Sequence, residues 1–358
     1  MRKTGRLMAF ALVPLALAVL PARATTPPNG RILINETFTI GSIRPDGSGW
    51  RALAEGDFSH VSWSPDKSKI TYVGDEGDHL WVMDADGRNK MKLDDLPRSG
   101  GTWSPDGRFL AYAHPGPRET PESPLDPVCG GIWIVDVTTA ERRYLGDAFN
   151  CFAEDPRWSP DGAAIAFISG EGSDDAEGAY RHVFSMDAST GEHTQLTDSG
   201  AMDLHPRWAP DGSRIVFHST RDHSRRNPCA AEIYVMRADG SRERRLTRSL
   251  RSFDCDPTWS DDGRHLAWTR SIRFEGERRS QAWVMRPDGS GKRLVSERHS
   301  RNAAAWDFSP DGRWILYTAV PTRQPRALYS DLYKTSIDRS RRVRLTRKGL
   351  HSAPRPDW

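Results

Sequence analysis

A tryptophan-led turn recurs along this chain every 40 to 55 residues, and the two ends of the chain share one copy between them. Trp63-Ser64-Pro65-Asp66 is followed by Trp103-Ser104-Pro105-Asp106-Gly107, Trp158-Ser159-Pro160-Asp161-Gly162 and Trp208-Ala209-Pro210-Asp211-Gly212. Trp259-Ser260-Asp261-Asp262-Gly263 and Phe308-Ser309-Pro310-Asp311-Gly312 complete the intact copies. Trp358 falls 50 residues after Phe308, and Pro28-Asn29-Gly30 supplies what should follow it. A period of this length marks an array of small units that bury their faces only against neighbours, and a copy divided between the ends marks a closed ring.

Each unit holds four strand signals. After the turn comes an apolar run such as Lys69-Ile70-Thr71-Tyr72, Phe109-Leu110-Ala111-Tyr112 or Arg214-Ile215-Val216-Phe217. A third strand follows, for example Leu80 to Met83 or Ile233 to Met236, and the fourth ends on Leu53, Leu93, Leu145, Leu196, Leu246, Leu294 or Leu345. In Ser-Pro-Asp-Gly, Pro sets the first corner, the Asp side chain caps the turn, and Gly takes the positive φ that other residues resist. Turns of the type Asp84-Ala85-Asp86-Gly87 repeat that chemistry between third and fourth strands. Antiparallel meanders of four strands repeated about an axis make a β-propeller. The expected fold is therefore all-β, a seven-bladed β-propeller of four-stranded antiparallel blades, with N- and C-terminal strands closing the ring in one blade. A six-bladed ring is the alternative. The blades fall at about 28–54 plus 355–358, 55–95, 96–147, 148–198, 199–248, 249–297 and 298–350, forming one domain over 25–358.

Residues 1–24 read as a signal peptide. Arg2, Lys3 and Arg6 precede an apolar run from Leu7 to Leu20, and Ala22-Arg23-Ala24 offers a cleavage site. The run is too short for a comfortable membrane span, and no later segment replaces it. The expected location is periplasmic or secreted. Cleavage removes four basic residues and no acid, leaving 47 Lys and Arg against 48 Asp and Glu. The basic balance thus belongs to the precursor, which removes the main support for a nucleic-acid partner. Arginines crowd Arg242–Arg251 and Arg339–Arg347, as a solvated outer strand with acidic partners or as an anion-binding flank.

The Trp-Ser-Pro-Asp-Gly turns, the Ile-Ala-Phe strands and third strands of the type Leu80-Trp81-Val82-Met83-Asp84-Ala85-Asp86-Gly87 resemble the TolB-like, WD40-like (PD40-type) propeller repeat. The resemblance covers 28–358 and implies the fold. It does not imply the role of TolB itself, which carries an α/β domain ahead of six blades. The same repeat caps prolyl-oligopeptidase-type peptidases, and some propellers of this general kind are lyases.

No G-x-S-x-G, H-E-x-x-H or G-x-x-x-x-G-K-[ST] motif occurs, and Gly289-Ser290-Gly291-Lys292 reads as a hairpin turn. The Asp-rich turns lack the later Glu and spacing of a calcium loop. Cys129 and Cys229 each precede a third strand, whereas Cys151 and Cys255 each lie before the next Trp, on the same face of the ring. The recurrence favours Cys129–Cys151 and Cys229–Cys255 bridges in an exported chain. That face also carries the long connections 113–131, 169–182 and 219–232, and recognition tends to reside in such loops.

Three positions before each Trp stand His60, Gly100, Asp155, His205, Asp256, Ala305 and Arg355. Asp155, His205 and Asp256 come from adjacent blades and could bind a divalent cation at the channel mouth, with His60 and Arg355 on the same rim. Local capping of the Asp-Pro and His-Pro turns explains the same residues without a ligand, and no other cofactor is expected. The reading of the whole chain is a non-catalytic scaffold, taken as a monomer, that binds a protein or cell-envelope component through its long-loop face. The alternatives are an enzyme at the channel mouth, a polysaccharide lyase or metal-assisted hydrolase, or a small-ligand sensor.

Overall fold

The computed structural model describes residues 30–358 apart from 37, 75–78, 96, 98, 116–129, 147–152, 171–179, 223–230, 250–251, 275–276, 299–300, 321–329 and 347–355. Its strands form seven separate antiparallel sheets, six of four strands and one of three. The first strands of neighbouring blades touch one another, which places them innermost, around the channel. Blade 2, for example, runs from Phe58–Trp63 through Lys69–Gly74 and His79–Asp84 to Met91–Asp94. Blade 5 runs from Asp203–Trp208 through Arg214–Ser219 and Glu232–Arg237 to Arg244–Arg245.

Seven buried clusters lie between the sheets, and each joins one blade to the next. The second blade meets the third through Val73, Leu80, Leu93, Leu110 and Tyr112. The fifth meets the sixth through Val216, Ile233, Leu246, Trp259 and Trp268. A blade is thus apolar on both faces, and only a full circle of neighbours removes all that surface from water.

Closure occurs where the sequence divides its repeat. The three-stranded sheet, Ile32–Glu36, Thr39–Ile43 and Arg51–Glu55, receives Asp357 at its inner edge. Leu33 N donates to Asp357 O at 2.8 Å and Asp357 N donates to Leu33 O at 3.2 Å. Trp358 then packs with Ile32, Ile34 and Ile43 against Leu316, Leu332 and Leu345 of blade 7. Seven blades and closure through Trp358 are therefore the observed architecture.

The turns use their residues as expected. Ser104 Oγ donates to Asp106 Oδ1 at 2.5 Å and accepts from Phe109 N at 2.9 Å, and the same pair of bonds recurs at Ser159, Ser260 and Ser309. In blade 5, Ala209 cannot cap, and Ser213 Oγ bonds Asp211 Oδ1 at 2.7 Å instead. Gly191 has a φ of +80° and sits so close to Leu145 of the preceding blade that a Cβ would come within 2.1 Å of its carbonyl oxygen. Both backbone sign and blade spacing demand glycine there.

Two recurring devices, one between blades and one within them, have no counterpart in the strand pattern. The indole Nε1 atoms of Trp158, Trp208 and Trp259 donate to Thr102 O, Arg157 O and Arg207 O of the preceding blade at 3.1 to 3.2 Å. After the fourth strand, Thr197, Thr247, Ser296 and Thr346 accept a hydrogen bond from a backbone amide of their own third strands, Val183, Ile233, Ala282 and Leu332. Two of the outer arginines are paired with acids: Arg245 reaches Glu232 at 2.8 Å and Asp222 at 3.0 Å, and Arg344 reaches Asp331 at 2.5 Å.

Candidate functional site at the channel mouth

Four inner strands break register just before their tryptophan, between Ser59 and Ser62, Glu154 and Arg157, Leu204 and Arg207, and Cys255 and Thr258. In each, the residue three before Trp adopts a left-handed backbone, with φ of 51° at His60, 49° at Asp155, 53° at His205 and 52° at Asp256. Such bulges re-aim a side chain at the end of a strand. Blade 7 departs from this series: its left-handed residue is Asn302, with φ of 50°, while Ala305 is buried. Gly100 has no side chain because His60 fills the space, and a Cβ there would lie 2.0 Å from the His60 Cβ.

A pocket of about 670 Å³ opens at this end of the channel, lined by His60, Gly100, Asp155, Arg157, Arg181 and His205 among others. Since strands alternate in direction, the second strands end and the third strands begin on this side, as at Ser219 and Glu232 of blade 5. The opposite side carries the Pro-Asp-Gly turns.

The structure divides the expected trio. Asp155 is clamped by two guanidinium groups, Arg157 Nη2 at 2.5 Å and Arg207 Nη1 at 3.1 Å. Burial raises the pKa of its carboxyl, but Arg157, Arg207 and His205 outweigh that and hold it well below the usual carboxylate range. His205 instead faces Asp256, with Nδ1 3.5 Å from Oδ1, and lies against His218, with ring centroids 5.0 Å apart. One donor atom from each of His205, His218 and Asp256 lies within 4.8 Å of the others. Burial lowers the pKa of both imidazoles, that of His218 to about 3, so each is neutral at pH 7. For Asp256, burial is outweighed by the neighbouring histidines, and its carboxyl lies below its ordinary value.

His218 comes from the second strand of blade 5, Arg214–Ser219, whose apolar pattern reads as core. The corresponding residues after the strand aromatics are Val73, Ala113, Ile168, Thr269 and Thr318. Aligning the repeats on these aromatics exposes His218 as the one titratable residue at that position, a signal that the strand pattern alone conceals. The residues immediately before the repeat aromatic carry a second signal: Arg157 and Arg207 before Trp on one side of the ring, and Asp307 before Phe308 and Asp357 before Trp358 on the other.

That acidic side belongs to the closure. Asp307 Oδ2 accepts from Trp358 N at 2.9 Å, and Asp357 Oδ2 accepts from Trp63 N at 2.7 Å. Lys67 Nζ donates to Trp358 O at 2.8 Å and sits 3.6 Å from Asp357 Oδ1. Burial, with Asp357 nearby, pushes the Asp307 carboxyl up to about 7.

Of the other expected residues, Arg355, Cys129, Cys151 and Cys229 lie outside the described residues. Cys255 is buried, with Sγ 3.3 Å from Asp256 Oδ2. Among the described residues, no helix is long and apolar enough to cross a membrane.

Residues 79–226 match the family model of the TolB beta propeller domain. Dipeptidyl-peptidase 5 of Porphyromonas gingivalis is 30% identical over 95 residues, covering 26% of this chain. The aligned part spans about one seventh of that relative's length, at 14%. Among solved structures, one assigned as TolB from Agrobacterium tumefaciens is 21% identical, covers 79% of this chain and 95% of its own, and has a TM-score of 0.54. An oligogalacturonate lyase in complex with manganese is 15% identical, covers 90% of this chain and 85% of its own, and has a TM-score of 0.64. The segment 79–226 is thus TolB-type propeller sequence, and the likeness to the solved structures is one of fold.

Proposed function

We propose that this TolB-like propeller is an exported, non-catalytic scaffold that binds a protein or cell-envelope component on the loop side of its ring. The observation that carries this reading is the fixed rim at the channel mouth. Four left-handed bulges hold His60, Asp155, His205 and Asp256 on rigid strand ends, and the first three line an open pocket. The acid at its centre, Asp155, is held ionised by Arg157 and Arg207 instead of being free to exchange protons. A rigid concave surface with its charges already paired loses little entropy on binding. Export to the periplasm or outside the cell is part of the proposal and follows from the reading of residues 1–24.

Photo-crosslinking in cells tests it. Probes at His60 and Tyr180 on the loop side should capture one discrete partner that probes at Arg88 and Arg264, on the turn side, do not. Equal capture from both sides, or from neither, overturns the scaffold reading.

The grouping of His205, His218 and Asp256 favours a second reading, an enzyme at the channel mouth such as a polysaccharide lyase or metal-assisted hydrolase. Any turnover found with the purified protein should vanish in the His205→Ala, Asp256→Ala double variant. Retained turnover would place the chemistry elsewhere.

A further inference from the structure

We propose that His205, His218 and Asp256 form a binding site for a divalent transition-metal cation of the zinc type, with coordination positions left open toward the channel. The site is independent of the scaffold reading and would stand if that reading failed.

The donor set comes from three places that the fold brings together: the bulge of blade 5, the second strand of the same blade, and the bulge of blade 6. Zinc-type ions bind imidazole nitrogen at about 2.0–2.1 Å and carboxylate oxygen at about 2.0–2.2 Å, so tetrahedral ligands sit roughly 3.4 Å from each other. His205 Nδ1 and Asp256 Oδ1 are 3.5 Å apart, a separation that suits two ligands of one ion. With all three donors inside 4.8 Å, small side-chain rotations close the set.

An independent sign points the same way. The Nδ1 atoms of His205 and His218 are both buried, and neither makes a hydrogen bond among the described residues. Buried polar atoms are nearly always satisfied, and these two on adjoining rings, with only the 3.5 Å approach of Asp256 Oδ1 to His205 Nδ1 beside them, call for a shared partner. The two adjoining imidazoles, with centroids 5.0 Å apart, are placed to offer nitrogen lone pairs to one cation. Calcium and magnesium prefer all-oxygen cages, so two nitrogens in three donors select a softer ion.

The surroundings support the ligands. Phe253 packs edge-on to the His218 ring at 5.8 Å, and Cys255 contacts the other Asp256 oxygen, leaving Oδ1 turned to His205. His218 is 2% exposed, whereas the Asp256 side chain is 48% exposed. A cation here would be anchored on the protein side and open to water or a ligand atom on the channel side, the arrangement of metal sites that keep a free position.

The test is calorimetric titration of the chelator-stripped full chain with Zn²⁺, Co²⁺, Mg²⁺ and Ca²⁺ separately. One equivalent of Zn²⁺ or Co²⁺ should bind, bound Co²⁺ should show visible d–d bands, and Mg²⁺ and Ca²⁺ should give no comparable heat. His205→Gln and Asp256→Asn, both at partly exposed positions where folding is safe, should each weaken Zn²⁺ by more than the 10- to 100-fold typical of altered metal surroundings. His193→Ala, on an exposed outer strand, should leave affinity unchanged. Zn²⁺ bound equally well by both site variants, or no one-to-one complex in the wild type, would overturn the proposal. His218→Ala adds a second readout: the rise in melting temperature on adding Zn²⁺ should be lost, while the metal-free protein still unfolds cooperatively.

Discussion

Asp155 and Asp307 both sit at the channel next to a repeat turn, yet their neighbours drive them in opposite directions. Asp155 faces two arginines and is held ionised; Asp307 faces Asp357 in a dry setting and is pushed up to about 7. A carboxyl with a lowered pKa stabilises the fold above its unfolded value, and that gain is lost as pH falls through the folded value. Asp155→Asn should therefore cost about 2 kcal/mol at pH 7, as expected for a partly buried pair that loses one member, with the gap from wild type narrowing below about pH 4. For Asp307 the sign reverses. Its contribution is fully present below the unfolded value and is lost as pH rises through 7. Urea unfolding of Asp307→Asn should gain on wild type between pH 5 and pH 8, by an amount on the order of a few kcal/mol. A gap that does not change with pH would show that Asp307 is not the strained carboxyl.

At the scale of the element, the repeated turn is also a joint between blades. Trp208 packs half-buried against the blade 4–blade 5 interface and donates from Nε1 to Arg157 O at 3.1 Å. Trp208→Phe keeps most of the apolar contact and loses that bond, so a stability loss of about 1 kcal/mol is expected in urea titrations. Thr247 accepts from Ile233 N at 2.9 Å and donates to the buried Glu232 carboxylate at 2.5 Å. Thr247→Val leaves both groups buried without that partner, and the expected loss is larger, about 2–3 kcal/mol. The Leu-Thr pair ending a fourth strand is therefore as much a part of the repeat as the Trp turn. It is easily missed because threonine fits any strand.

Across the whole molecule, stability depends on closing the circle. Removing residues 356–358 would take away the Leu33–Asp357 bonds, the buried Trp358 ring and the Asp357 contact to Trp63 N. Loss of a buried Trp alone costs about 3–5 kcal/mol, and the exposed seam between blades 1 and 7 adds to it, so the melting temperature should drop on the order of 10 °C. An unchanged transition would mean that the first blade holds without its inner edge.

The period of the Trp turns, the strand alternation and the split copy were enough to establish seven blades and their closure, because each is a local chemical requirement repeated until it can be met only in a ring. The rim positions could be read the same way: the residue three before Trp does project from a bulge at His60, Asp155, His205 and Asp256. Which rim residues act together could not be read, since partnership depends on side chains from different blades whose separation is set by packing. Arg157 and Arg207 pair with Asp155, and His218, concealed in an apolar strand, lies beside His205 and Asp256. Repetition along the chain is enough to specify a ring, whereas a site arises from the differences between repeats, and only the tertiary structure brings those differences within reach of one another.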